Sequence, residues 1–372
     1  MVSSTLRILS EGIRNSYHSY FFRPSDIVLF LTYRCTSRCK TCNIWKRPSS
    51  AENELEWDDW EPILKKLSQN GIKSIEMFGG DALLRKNLLL KMARFCKEHA
   101  IDSYFPTNSN LLDEKMIVDL LAAGLGTIYF SLDEIPSMES SVRGIKNHFP
   151  KVKEAITLTL KHRGMKQKPR IVCITTVSIF NHNHLADFVD FAANIGVDEL
   201  MFRGLSNFPT TAVNASKVQG IKPEPYFMAT DDGSKHLTLL EAQTLLSTLG
   251  ELKRLRKRKG KLHIDTKNMD PLSAELLAAW RYPKTKCVFS TTNPILTPGG
   301  DVLPCPYYNN YSLGNLKTSD ISTLWGNEKH RHFCKMQKKG QLDLCNYCSV
   351  KFYHKTFWAS VQEVVKNARD KV

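Results

Sequence analysis

Residues 27–42 read Ile-Val-Leu-Phe-Leu-Thr-Tyr-Arg-Cys-Thr-Ser-Arg-Cys-Lys-Thr-Cys. The first six form a short, continuous apolar run rich in strand-favouring side chains, the pattern of a strand buried on both faces of a parallel sheet. Three thiols follow at once: Cys35, Cys39 and Cys42. In a parallel β/α barrel the loops after the strand C-termini build the active face. The stretch therefore predicts a thiol site at the mouth of such a barrel.

Working outward, the apolar runs repeat. Strands are predicted at 27–32, 74–79, 103–107, 127–132, 170–177 and 199–204, with helices at 57–70, 86–99, 112–123, 149–163 and 183–195. Gly71, Gly124 and Gly196 stand where three of these helices should stop. Strands alternating with helices predict parallel βαβ units, and right-handed crossovers curl such units into a barrel. The expected fold class is α/β: a partial (β/α)6 TIM-like barrel with a small C-terminal α+β domain. The expected divisions are an N-terminal helix over 1–24, the barrel over 25–236, a connecting helical segment over 237–283 and the small domain over 284–372. Residues 205–236 read as an irregular loop. A helix over 238–259 runs into the basic stretch Lys-Arg-Leu-Arg-Lys-Arg-Lys-Gly-Lys, read as a solvated helix end.

Composition bounds the function classes. The chain has 372 residues, 42% hydrophobic and 24% charged, enough for a sizeable core. No run approaches the roughly 18 apolar residues that span a bilayer. Leu6, Leu9, Ile13, Tyr17 and Phe21 recur at helical spacing, and this stripe is expected to pack onto its own domain; a membrane surface is the competing reading, and no membrane partner is expected. The formal net charge is +15. A nucleic-acid binder, an enzyme for anionic substrates, or a basic surface around anionic clusters would each show it. The ten cysteines are clustered, three near the start and five between 287 and 348. The first residues lack the apolar core of a signal peptide. The expectation is a reducing, cytoplasmic setting with metal-binding thiols and no disulfide framework.

Thiolates are soft ligands suited to iron–sulfur clusters. Three of them hold three corners of a [4Fe–4S] cube and leave the fourth iron open. Structural zinc is the competing reading, but it wants four closed ligands, and after the three cysteines no histidine comes before His99. The Cys-x3-Cys-x2-Cys spacing resembles the signature of the radical S-adenosylmethionine superfamily. That resemblance implies an enzyme. Its open iron chelates S-adenosylmethionine, and one electron from the cluster yields a 5′-deoxyadenosyl radical that takes hydrogen from a substrate. Thr41 departs from the aromatic residue common before the last cysteine.

Further segments resemble the family in chain order. Gly79-Gly80-Asp81-Ala82 is similar to its GGEP motif, implying a contact with the amino group of S-adenosylmethionine. Asn108 falls in a segment resembling TNG. Ser131 and Asp133 share one strand face and resemble residues near the ribose and methionine. Arg143 resembles the arginine that pairs with the carboxylate, a role its planar fork suits. The C-terminal cysteines resemble an auxiliary-cluster domain, the shorter Twitch form more than the full SPASM form. This implies a second [4Fe–4S] cluster on Cys287, Cys305, Cys345 and Cys348. A zinc ribbon on the same four is the competing reading. Cys334 is left unassigned, and Cys96 and Cys173 read as core residues.

The expected function is hydrogen abstraction from a sugar or other small metabolite. A peptide substrate, RNA modification and a non-enzymatic cluster carrier are alternatives. The peptide-recognition domain of many peptide modifiers is expected to be absent, because 26 residues precede the first strand. The resemblance also implies a low-potential electron donor such as a flavodoxin or ferredoxin; nucleic acid is not an expected partner.

Overall fold

The structure, a computed structural model, describes residues 4–138, 141–226, 233–255, 262–266, 268–269, 272–352 and 356–369. The alternation is realised. Helix α1 (Ser4–Phe21) leads to β1 (Asp26–Phe30), α2 (Trp57–Gln69), β2 (Ser74–Phe78), α3 (Lys86–Glu98), β3 (Asp102–Thr107), α4 (Glu114–Ala123), β4 (Thr127–Ser131), α5 (His148–Arg163), β5 (Arg170–Val177), α6 (Leu185–Ile195) and β6 (Glu199–Gly204). Gly124 and Gly196 close α4 and α6 with φ of 82° and 87°, the left-handed turn that a residue without Cβ makes freely.

Strands β1 to β6 pair in sequence, all parallel. Side chains on one face, among them Leu29, Ile75, Phe105, Ile128 and Leu200, are buried. The concave face carries Glu76, Tyr104 and Tyr129, partly buried.

Two additions extend this sheet beyond the six expected strands. A short helix, α7 (Thr210–Asn214), interrupts the stretch read as an irregular loop, and the connecting segment read as helical holds α8 (Leu239–Leu255) and then a seventh parallel strand, β7 (His263–Asp265), paired with β6. The signal was weak because β7 has only three residues. The part of the basic run beyond residue 255 lies outside the described residues. After α9 (Ala274–Ala278) and α10 (Phe289–Thr292), β8 (Ile295–Leu296) pairs parallel to β1, and β9 (Val302–Leu303) returns antiparallel. The chain after 284 is therefore stitched into the barrel sheet. Helices α11 (Ile321–Leu324), α12 (Glu328–Lys338) and α13 (Phe357–Arg369) complete it. The sheet runs β7-β6-β5-β4-β3-β2-β1-β8-β9 and stays open, a partial barrel.

The expectation for α1 is also overturned. The apolar stripe of α1 does not pack onto the domain: Leu6, Ile13, Tyr17 and Phe21 are exposed and Leu9 is half-buried. The inward face carries Gly12, Asn15 and Ser19 instead. A Cβ on Gly12 would come within 2.4 Å of Ser360 Oγ on α13. Small residues let the two helices approach closely, and that choice of face turns the stripe outward.

Candidate functional site: two cysteine centres

Cys35, Cys39 and Cys42 lie on the loop leaving β1, as the sequence predicts. Thr32 starts the loop. Its hydroxyl bonds the Glu54 carboxylate and accepts the Arg34 backbone N–H at 3.0 Å. Glu54, nearly buried, also takes Arg34 and Arg85, each at 2.8 Å. A buried carboxylate is tolerable only when paired in this way. The pairings hold Glu54 below the usual carboxylate range: burial raises it, and bonds from Arg34, Thr32 and Arg85 outweigh that.

The Gly79–Asp81 segment braces the same loop. Gly80 N–H donates to Thr32 O and Asp81 N–H to Arg34 O, both at 2.9 Å. A Cβ on Gly80 would lie 2.2 Å from Arg34 O, so only glycine fits there. Asp81 accepts from the Thr36 hydroxyl, and Asn108 Nδ2 donates to Ser37 Oγ at 2.8 Å and Thr36 Oγ1 at 3.1 Å. Residues singled out as nucleotide contacts thus also fasten the cysteine loop.

Asp133 and Arg143 meet. Arg143 Nε lies 2.6 Å from Asp133 Oδ2, and Nη1 lies 3.9 Å from Cys39 Sγ. Asp133 is fully buried and its Oδ1 accepts the Thr176 N–H at 2.7 Å. Glu134 holds the Arg143 backbone, accepting N–H bonds from Val142 and Arg143 at 2.6 Å each. The 142–143 segment in turn binds the cysteine loop through Arg38 N–H to Arg143 O and Lys40 N–H to Val142 O. Ser131 is buried at the end of β4, in register with Ile174. Burial raises all three thiols, Cys42 to about 12; Arg143 opposes this at Cys39. A bound metal centre brings such thiols to the thiolate form.

The second centre surrounds one small pocket, lined by Cys287, Cys305, Cys345 and Cys348 together with Lys351 and aromatic and aliphatic side chains. Burial lifts all four thiols, and charge among them adds to the rise at Cys305, Cys345 and Cys348. Cys334 does not line this cavity; its thiol donates to Ser290 O at 3.6 Å and is pushed up to about 12 by burial. Lys351, 4% exposed, donates from Nζ to Cys345 O at 2.6 Å. An aromatic file of Tyr33, Tyr226 and Tyr307, with successive ring centroids 6.1 and 6.2 Å apart, links the chain just before Cys35 to the chain just after Cys305.

Both donor sets fit iron–sulfur clusters. The four C-terminal thiols line one pocket, and thiolates are soft ligands of the kind such clusters take.

Residues 29–192 match the profile of the radical SAM superfamily, and residues 287–349 match SPASM, an iron–sulfur cluster-binding domain. The chain carries a radical SAM domain followed by a SPASM domain. The radical SAM match runs from the end of β1 into α6, and the SPASM match takes in the four pocket-lining cysteines. Cofactors of these two domains are [4Fe–4S] clusters and S-adenosylmethionine. The Fe-coproporphyrin III synthase of Methanosarcina barkeri is 29% identical over 123 residues, 33% of this chain and 31% of that protein. The chain spans between about a third and just over half the length of the first curated relatives it matches. Among solved structures, anSMEcpe with bound AdoMet and the Kp18Cys peptide aligns with a TM-score of 0.66 at 16% identity, over 94% of this chain and 100% of that one. Streptococcus suis SuiB bound to its precursor peptide SuiA aligns with a TM-score of 0.60 at 17% identity, over 88% and 71%. These likenesses establish the shared fold.

Three features of the two centres and the sheet between them had no sequence signal of their own. Glu54 and Arg85 act on the cysteine loop from distant segments. Lys351 joins the SPASM cavity from beyond the CxxC. Glu76, on the concave face, is pushed up to about 7 by burial. All three became visible only where strands and loops met.

Proposed function

We propose that this protein is a radical S-adenosylmethionine enzyme that removes a hydrogen atom from an organic substrate. The observation that carries the reading is the three-thiol loop at the C-terminal end of β1, with the Asp133–Arg143 pair at 3.9 Å from Cys39. When bound, a cluster on Cys35, Cys39 and Cys42 supplies one electron for cleavage of S-adenosylmethionine, whose adenosyl fragment takes the hydrogen.

The chain's own residues prepare that event. Thr32, Glu54, Arg34 and Arg85 fix the start of the loop. Asp81, Asn108 and the 142–143 segment fix its middle. Arg143 places a permanent positive charge beside Cys39, where a carboxylate-bearing nucleotide is also to be held. Asp133 orients that guanidinium. Glu76 keeps a carboxyl able to hold a proton near neutral pH on the concave side of the sheet. The four thiols of the SPASM cavity are a complete ligand set, so a cluster there is suited to electron transfer rather than to binding the nucleotide. A low-potential donor such as a flavodoxin or ferredoxin is the proposed electron source.

For the substrate we infer a small metabolite or a peptide. The peptide reading is supported by the peptide-bound states of SuiB and anSMEcpe. The deciding experiment is anaerobic reconstitution, then dithionite and S-adenosylmethionine with deuterated candidates of each class. About eight irons per chain and deuterium in the released 5′-deoxyadenosine support the reading and identify the class. A protein that takes up zinc but no iron, or that leaves S-adenosylmethionine intact, overturns it.

A further inference from the structure

Helix α1 is inside out. Its packed face is Gly12, Asn15 and Ser19; its solvent face is Leu6, Ile13, Tyr17, Tyr20 and Phe21. The inward contacts are specific. Ser16 Oγ accepts the Phe357 N–H at 2.8 Å, and Ser19 Oγ accepts from Thr291 at 2.8 Å. The helix is therefore locked in this orientation by α13 and α10. A helix that sought only its own core would present the opposite face.

The exposure is large where it counts. Tyr20 is 76% exposed, Ile13 57% and Phe21 55%. On the neighbouring α13, Trp358 is 73% exposed and Val365 is also exposed. An apolar strip of this breadth on a folded protein marks an interaction surface. Its composition, with Tyr, Phe and Trp among aliphatic side chains, matches a membrane interface, where amphipathic rings sit at headgroup level. Among the described residues no helix is long and apolar enough to cross a bilayer, so the fitting mode is lying on the surface.

Charge identifies the surface. Arg14 and Arg23 are exposed beside the strip, and the Arg23 guanidinium stands 5.7 Å over the Tyr17 ring. Arg331 of α12 reaches the end of α1, 4.7 Å over the Phe22 ring, and α12 continues with exposed His332, Lys335 and Lys338. Glu11 and Glu328 are the described acidic side chains on these two helices. Basic groups flanking an apolar face recognise anionic headgroups, and the chain's net charge of +15 has the same sign.

We propose that the outward face of α1, joined by Trp358 of α13, seats this protein on an anionic lipid surface. The inference is independent of the radical chemistry. The experiment is flotation of the full, cluster-loaded chain with vesicles of phosphatidylcholine alone or with phosphatidylglycerol. The chain should float with the anionic vesicles and release as salt rises. Phe21→Ser should weaken partition roughly tenfold or more. Arg23→Gln should weaken it about fivefold, equivalent to about 1 kcal/mol for one basic group at such a surface. Both positions are exposed, so iron content and circular dichroism should match the parent and report folding. Three results overturn the proposal: no flotation with anionic vesicles, flotation undiminished in both variants, or a solution dimer that Phe21→Ser dissolves.

Discussion

The Nη1 of Arg143 lies 3.9 Å from the Sγ of Cys39, across 104 residues of chain. The contact joins the loop after β4 to the loop after β1. Burial disfavours the charge on Arg143, and Asp133 and the neighbouring cysteines outweigh it, holding the guanidinium charged.

Replacing Arg143 by Met should act twice. It strands the fully buried Asp133, a loss of roughly 3 kcal/mol or more for a broken buried pair, read as a lower denaturant midpoint. It also removes a positive charge beside Cys39, so the first cluster should become harder to reduce in an anaerobic EPR-monitored titration. Arg143→Lys should restore the potential more than it restores stability, since lysine keeps the charge but not the fork. An unchanged potential in Arg143→Met would remove the electrostatic role.

Lys351 should tune the second cluster. Its ammonium is buried against the SPASM cavity and also donates to Tyr282 O at 3.4 Å. Lys351→Met should leave the iron count unchanged and lower the potential of that cluster only. Lys351→Gln keeps a donor without the charge. If Gln behaves like Met, charge is the lever; if it behaves like the parent, hydrogen bonding is.

Gly80→Ala is expected to spoil loading of the first cluster while sparing the second. The new methyl would press on Arg34 O and push the cysteine loop outward. Iron per chain should fall to about half after reconstitution, and 5′-deoxyadenosine release should fall with it.

Acid should weaken the fold through two groups. At Glu134 burial acts upward, but the His148 ring and the N–H groups of Arg143 and Val142 bring it down from 4.5 to about 2. Burial takes His330 from 6.5 down to about 4. Both fall below their unfolded values, so the unfolded chain binds more protons in acid. Their stabilisation is complete above pH 6.5. The His330 share is lost between 6.5 and 4, and the Glu134 share between 4.5 and 2. Chemical denaturation across this range should show the decline, and Glu134→Gln should flatten its lower part.

The barrel was legible because its signals are local. An apolar run, a glycine stop and a helical period each describe one element, and sequential parallel pairing follows from handedness. Strand β7 escaped notice because three residues carry little pattern. The pairing of β8 with β1 escaped because it joins residues far apart in the chain.

The same division holds at the sites. Cys35, Cys39 and Cys42 are close together in the chain and directly follow β1, so local sequence alone pointed to the proposed centre and to the end of the sheet that bears it. The CxxC of Cys345 and Cys348 was legible for the same reason. The supports were not: Glu54 between Arg34 and Arg85, Lys351 against Cys345 and the exposed face of α1 depend on which segments meet. Local pattern reports what a stretch of chain prefers by itself. Burial, pairing and which side of a helix faces solvent are properties of contacts between distant stretches, and only the tertiary structure decides them.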